Sequence, residues 1–167
     1  MTDRPPDRAL RILLRLGLIV LAYALASIAS GLAGTLVMLI KDNLARYPQV
    51  FLSTTGLAQD LMTGAAVGSA LSAFFALPVG VPAIVISEWW SVSHRLFFAC
   101  AGLAAGLVGW VWFSANLGVR YWPPISSFAE NLYMLPSVIA GGLAGGFTYW
   151  LIAGRRAGRF RSGSPAG

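Results

Sequence analysis

The sequence predicts an all-α integral membrane protein, a bundle of four transmembrane helices with both termini in the cytoplasm. Three observations predict this class: 57% of the 167 residues are hydrophobic, 11% are charged, and the apolar residues form four long uncharged stretches. A soluble domain carries about 25% charged residues to cover its surface. A hydrocarbon core about 30 Å thick takes about 20 helical residues, so four stretches indicate four spans.

The four predicted spans contain no Asp, Glu, Lys, Arg or His, and charged residues lie close to both ends of each; they cover residues 16–40, 61–87, 96–119 and 132–154. Transmembrane strands would be about 10 residues long and alternate in polarity. The spans divide the chain into a basic N-terminal segment (1–15), a four-helix transmembrane domain (16–154) and a basic tail (155–167). The Arg, Gly, Ser and Pro composition of the tail predicts disorder.

The first span has a competing interpretation as a cleaved secretory signal. Four arginines precede its apolar run, and Ala24-Leu25-Ala26 imitates a small-residue cleavage site. The run continues to Ile40, however, whereas the apolar region of a signal is only about 7–15 residues long. We therefore predict an uncleaved membrane anchor.

The distribution of basic residues predicts the orientation of the helices. With the N-terminus inside, nine Lys and Arg residues are cytoplasmic and three, Lys41, Arg46 and Arg120, are outside. The arginines that follow the fourth span are expected to contact the anionic inner leaflet; they are Arg155, Arg156, Arg159 and Arg161. Because no soluble basic domain remains, nucleic acid is not an expected partner.

Tryptophan residues near the predicted borders are expected to anchor the protein at the headgroup level, where the ring is in apolar surroundings and the N–H reaches water. These anchors are Trp89, Trp90, Trp122 and Trp150. The pair Trp89-Trp90 has a second interpretation, as a docking platform for a partner.

Small residues recur every four positions within the spans. This spacing places them on one helix face, where neighbouring backbones can approach closely. They are Ala22, Ala26, Ser30 and Gly34; Gly64, Gly68, Ser72, Ala76 and Gly80; Gly102 and Gly106; and Ser137, Gly141 and Gly145. The pattern predicts a compact bundle in which spans two and four have enough small surface for a further membrane helix or a second copy. Purely intramolecular packing is the alternative.

Two prolines, Pro78 and Pro82, lie in the cytoplasmic half of the second span. Each removes a backbone donor and clashes with the preceding turn, so we predict a kink or local unwinding at residues 76–80. Broken helices in transporters expose backbone groups to a substrate at the midplane, which is the alternative to a plain kink.

Few residues could carry chemistry. His94 and Glu88 could act as acid and base or as two ligands of a metal, but a metal site needs three or four ligands. We expect Glu88 and Arg95 to pair across or cap the link between spans two and three. Cys100 is the only cysteine, and we expect it to pack as a small apolar residue. We predict no catalytic residue, cofactor or metal.

Residues 142–158, GLAGGFTYWLIAGRRAG, together with residues 78–95 leading into a Gly-rich third span, resemble small uncharacterised four-span inner-membrane proteins of proteobacteria. The resemblance implies architecture and location, and it implies no functional residue. Arg outnumbers Lys eleven to one, which we interpret as a sign of a high-GC bacterial genome.

The expected function is a non-enzymatic accessory or stabilising component of a bacterial inner-membrane complex, with the lipid bilayer and other membrane helices as partners. The alternative is a small self-associating channel or facilitator in which the kinked second span lines a path. The charge-free spans decide this order. Proton or cation coupling by a transporter usually needs a carboxylate within the membrane. An intramembrane enzyme ranks last, because hydrolysis in a membrane needs a base or a metal.

Overall fold

The computed structural model describes residues 5–45, 54–116 and 128–157, and these residues form helices and short connections without any strand. In chain order the elements are α1 (Pro5–Ala45), α2 (Thr54–Phe75), α3 (Leu77–Trp89), α4 (Arg95–Asn116), α5 (Phe128–Ile152) and a 3₁₀ turn (Gly154–Arg156). The predicted all-α class is confirmed.

Three helical segments are each long and apolar enough to cross a membrane: Ile12–Lys41, Arg95–Phe113 and Tyr133–Ile152. A fourth candidate is the bent pair Ala58–Phe75 and Leu77–Trp89, whose two parts differ in direction by 62°. The described part of the chain therefore has three candidate spans, or four if the bent pair is one span.

Two helices extend well beyond the predicted spans. α1 begins at Pro5 and continues to Ala45, so most of the predicted basic segment 1–15 is helical. Proline is compatible with the first turn of a helix, and Arg and Leu favour helix. Likewise α2 begins at Thr54, before the predicted span starts at residue 61. A charged residue limits the hydrocarbon-spanning part of a helix, but it does not end the helix.

The C-terminal border also differs from the prediction. The tail was expected to be disordered from residue 155, but the chain makes a 3₁₀ turn over Gly154–Arg156. Ala157 is then buried, with 4% of its surface exposed. The described part of the tail therefore packs against the helices.

The long helices pack antiparallel around α1. α1 lies between α2 and α5, α4 packs on the other side of α5, and α3 packs on α4. Along α1, Gly31 approaches Ser69 of α2, while Gly34 approaches Ser137 of α5. Between α4 and α5, a Cβ on Gly102 would lie 2.8 Å from the Cα of Gly146.

The buried core is small, and the outside of the bundle is apolar. Buried core residues include Ala22, Ala26 and Ala153, with Phe98 and Tyr149 as the large members. Long apolar side chains project outward instead; among those exposed by more than half are Leu13, Leu14, Val20, Met62 and Val67. This arrangement suits an apolar solvent, in which close packing between helices depends on small residues.

Candidate functional site

The break between α2 and α3 is the most irregular feature of the helical bundle. Pro78 has no N–H, so the Phe74 carbonyl cannot receive the usual helical hydrogen bond, and the residue before a proline is disfavoured in the helical region. α2 ends at Phe75 and α3 begins at Leu77. Ala76 belongs to both ends: its N–H donates to the Ser72 carbonyl at 3.0 Å, and its carbonyl accepts from the Gly80 N–H at 2.6 Å.

The two prolines of the second span have different positions relative to the break. Pro78 lies in the first turn of α3, where a proline is tolerated, and Pro82 lies inside α3, which continues through it. The 62° change in direction lies at Ala76, the first residue of the interval in which the sequence predicts a kink.

Tyr23 of α1 caps the break from the side. Its hydroxyl donates to the Ala73 carbonyl at 2.6 Å. Ala73 lies four residues before Leu77, so its carbonyl is among the last of α2, which have no partner within their own helix. Tyr23 is not among the residues predicted from the sequence. Its position inside the first predicted span, far from both borders, could have indicated its role, since a buried tyrosine hydroxyl usually needs a hydrogen-bond partner.

The helices surround a cavity of about 640 Å³ whose wall consists mainly of Gly, Ala and apolar side chains. Ala76 and Gly80 line it at the break, and Ala105 and Gly106 line it from α4. A Cβ on Gly80 would have its nearest neighbour, a ring carbon of Tyr23, at 3.5 Å. The second span therefore exposes its break to an internal space.

Several hydroxyl groups in the cavity wall bond within the protein, and within the described part of the chain one, that of Ser137, does not. The Ser30 and Ser72 Oγ atoms lie 3.1 Å apart and share a hydrogen bond. The Ser27 hydroxyl donates to the Tyr23 carbonyl at 3.0 Å, and the Tyr23 hydroxyl is bonded to Ala73. The Ser137 Oγ is buried and has no hydrogen-bond partner within the described residues.

The predicted small residues of α1 and α2 lie against neighbours in the same chain. A Cβ on Gly34 would lie 3.2 Å from the Ser137 carbonyl oxygen, and one on Gly64 would lie 2.6 Å from the Thr35 Cγ2. A Cβ on Gly68 would lie 3.2 Å from the Cα of Gly31. Gly31 was missed by the four-residue series, which runs through the adjacent Ser30.

The small residues of α4 and α5 behave in the same way. A Cβ on Gly141 would lie 2.9 Å from the Ser30 carbonyl oxygen, and one on Gly145 would lie 3.1 Å from that of Ala26, both on α1. On the other side of α5, Gly146 packs on α4, where a Cβ on Gly106 would also lie 3.2 Å from the Val138 carbonyl oxygen. Both small faces of α5 are therefore occupied by helices of this chain.

A polar cluster joins three helices at one end of the bundle. Arg15 of α1 forms a salt bridge with Glu88 of α3, in which the Arg15 Nε lies 3.1 Å from the Glu88 Oε1. The Arg15 Nη2 also donates to the Ala153 carbonyl at 3.2 Å. The two charged side chains are 14% and 16% exposed. The ion pair joins Glu88 to a residue 73 positions earlier in the chain, which the expected pairing or capping at the link between spans two and three did not include.

At the opposite end, Lys41 joins α1 to α5. Its Nζ donates to the Tyr133 carbonyl and lies 3.8 Å from the centroid of the Tyr133 ring. Basic side chains therefore connect α1 to neighbouring parts of the chain at both ends of the bundle.

The remaining candidates for chemistry are dispersed. His94 and Arg95 are exposed, and the described residues include no group of three His, Cys, Asp or Glu side chains that could hold a metal ion. Cys100 is exposed on α4, so the expectation that it packs within the bundle as a small apolar residue was wrong.

The structure describes some of the predicted tryptophan anchors and of the arginines predicted to contact the inner leaflet. Trp89 and Trp90 are 70% and 71% exposed. The Trp150 Nε1 donates to the Ser93 carbonyl at 2.8 Å, and the Arg155 guanidinium lies 4.6 Å from its ring centroid, so Trp150 holds the α3–α4 connection against α5. Arg156 lies in the 3₁₀ turn. The predicted contacts Trp122, Arg159 and Arg161 lie outside the described residues.

Comparison of the chain with protein-family models, curated proteins and solved structures finds no match. The resemblance to small inner-membrane proteins therefore stays a prediction. Any function proposed for the chain depends on the geometry of the bundle.

Proposed function

We propose that the chain crosses the bacterial inner membrane four times, with both termini in the cytoplasm. The support for the fourth span is the order of contacts along α1. α2 meets α1 where Gly64 lies at Thr35, then where Gly68 lies at Gly31. Further along, Ala73 meets Tyr23, and Glu88 at the end of α3 meets Arg15. The two ends of the bent pair thus contact α1 at Thr35 and at Arg15, which supports a crossing segment over a re-entrant loop.

The orientation is supported by the excess of basic residues on one side. A reporter active only in the periplasm tests it: fusions after Thr54 and after Ser126 should give signal, and a fusion after Arg161 should give none. Signal from the fusion after Arg161 would contradict the proposed topology.

The proposed function is that of a non-enzymatic accessory or stabilising component of an inner-membrane complex. The observation that carries this proposal is the construction of the bundle, in which glycine faces bring backbones together and basic side chains tie α1 at both ends. Such a bundle is a rigid body with an apolar exterior, suited to act by packing within the bilayer.

Purification in a mild detergent, combined with deletion of the protein, tests this function. A membrane subunit should co-purify in fixed stoichiometry, and the complex containing that subunit should lose abundance when the protein is deleted. Removal of residues 159–167 then shows whether the basic tail contributes to the contact while insertion stays intact. A chain that purifies alone, and whose deletion leaves membrane complexes unchanged, would contradict the accessory role.

A facilitator is the second candidate, and the helix break beside the internal cavity favours it. A broken helix at mid-depth is a common feature of transporter binding sites, and Ala76 and Gly80 line the cavity here. Solute flux into liposomes distinguishes this function: Pro78→Ala should alter flux, whereas removal of residues 159–167 should leave it unchanged.

A further inference from the structure

We infer that the central cavity holds one acyl chain of a bilayer phospholipid. This inference rests on the membrane-spanning arrangement proposed above, and it is independent of the choice between an accessory subunit and a facilitator. Four properties of the cavity support it: its volume, the bonding of most of its hydroxyl groups, its length and its position beside α2 and α4, which make few contacts with each other.

The volume of the cavity, which is partly open to the outside of the bundle, favours an apolar occupant. Protein interiors contain few voids larger than a water molecule, and atoms facing an empty space lose their dispersion contacts. A space of about 640 Å³ within a bundle of this size would leave the inner faces of several helices without neighbours.

The wall favours hydrocarbon over water. An ordered water needs two to four polar partners, and apolar cavities stay dry. The hydroxyls of Ser30 and Ser72 bond to each other, and those of Tyr23 and Ser27 donate to backbone carbonyls. These four hydroxyls thus bond within the protein, and Ser137 is the lining residue whose buried hydroxyl has no partner among the described residues. A single hydroxyl of this kind does not supply the two to four polar partners that an ordered water needs.

The length of the cavity fits an acyl chain. Its lining runs along α1 from Tyr23 to Met38, which is about 22 Å at the helical rise per residue. A chain as long as one leaflet, about 15 Å, fits within the cavity length.

The source of the chain is the surrounding bilayer. α2 contacts α4 far less than it contacts α1. One place where α2 and α4 meet is at Phe75, whose Cβ lies 2.8 Å from the position that a Cβ on Gly109 would take. Lipid tails surround this side of the bundle, and they are as apolar as the side chains that line the cavity.

Photo-crosslinking tests the inference directly. The purified full chain is reconstituted in vesicles of phosphatidylethanolamine and phosphatidylglycerol that contain a trace of phosphatidylethanolamine with a diazirine in the middle of one acyl chain. After irradiation, mass spectrometry maps the adducts. We expect adducts on the cavity-lining residues Tyr23 and Ser72, in addition to those on outward residues such as Val20.

Gly80→Leu is the variant that fills the cavity, because a Cβ at this position has its nearest neighbour at 3.5 Å. It should reduce the adducts on Tyr23 and Ser72 by about ten-fold, since a filled site resists further packing. Gly17→Leu is the matched control: a Cβ on Gly17 meets nothing within 4 Å, so cavity adducts should be unchanged. If Gly80→Leu does not fold, Ala83→Leu, at another half-buried residue of the cavity wall, serves the same purpose.

Two results would overturn the inference. One is adducts on outward residues alone, or cavity adducts that Gly80→Leu and Ala83→Leu leave unchanged. The other is a water-filled cavity: in a Cys100→Ala background, a cysteine replacing Ala76 should resist a membrane-impermeant maleimide, and rapid modification would show an aqueous path. Reporter fusions with the expected signals, combined with either result, would place the failure in the cavity inference and leave the topology standing.

Discussion

The α1–α5 interface and the region around the α2–α3 break are built from the same kind of residue, yet they pack differently. At the interface, a Cβ on Gly141 would lie 2.9 Å from the Ser30 carbonyl oxygen, and one on Gly145 would lie 3.1 Å from that of Ala26. At the break, a Cβ on Gly80 would have its nearest neighbour at 3.5 Å, and Gly80 faces the cavity.

The difference arises from the straightness of the helices. Small residues spaced four apart keep to one face only while the helix is continuous. α1 and α5 run antiparallel over many turns, so their small faces stay in contact. The second span changes direction by 62° at Ala76, so Gly80 no longer continues the face formed by Gly64 and Gly68. Regular spacing therefore produces close packing only between two uninterrupted helices.

The largest effect is expected from a leucine at the tight interface. Gly141→Leu should destabilise the protein by about 3 kcal/mol, because backbone atoms of α1 would have to move. Gly80→Leu should change stability by less than about 1 kcal/mol, since the added side chain enters open space and leucine has the higher helix propensity. Unfolding in mixed micelles measures both. Equal losses in the two variants would show that the two regions do not differ in packing.

The next effect concerns the polar cluster that anchors the far end of α3. Glu88→Gln should cost about 2 kcal/mol, because a hydrogen bond between charged groups is lost and the half-buried Arg15 keeps an uncompensated charge. Replacing both Arg15 and Glu88 by leucine should recover part of this loss. A double-mutant cycle on unfolding free energies measures the coupling, and a coupling of zero would mean that the salt bridge does not hold the broken span in place.

A smaller effect is expected at the cap of the break. Tyr23→Phe should cost about 1 kcal/mol, because the Ala73 carbonyl loses its donor. Unfolding in mixed micelles measures this loss. If Tyr23→Phe unfolds at the same denaturant concentration as the parent, the hydroxyl has no role in stabilising the break.

The smallest effect on stability, and a clear one on geometry, is expected from the prolines. Pro78→Ala should let α2 and α3 straighten and should increase the distance between spin labels at residues 62 and 85 by up to about 5 Å. Pro82→Ala should leave that distance unchanged, because α3 already continues through Pro82. Pulsed electron resonance in a Cys100→Ala background measures both, and matching distances in the two variants would refute the assignment of the break to Pro78.

The sequence predicts those features that depend on local composition. Uncharged stretches predict the helices, and small residues spaced four apart predict the faces on which those helices pack. Helix ends are less predictable, because a charge such as Arg15 ends an apolar stretch without ending the helix. The prediction also gave Pro78 and Pro82 equal weight, since the backbone consequence of a proline depends on whether it falls in a first turn.

The candidate site is formed mostly by tertiary contacts between residues that are far apart in the chain. Local sequence patterns do not predict such contacts. The partner of Glu88 is 73 residues away, and the partner of the Tyr23 hydroxyl is 50 residues away. No periodicity links residues at such separations. The cavity likewise depends on the angle between α2 and α3, which the sequence predicts only as a kink of unspecified size.

The position of α1 between α2 and α5 has a consequence for biosynthesis. α1 leaves the ribosome before α5, so the face of small residues on α1 waits without its partner while α2, α3 and α4 are made. At about 5–20 residues per second, this wait lasts several seconds. A chain that is truncated before Phe128 never closes that face, and its open backbone surface would mark it for membrane proteases as an incomplete product.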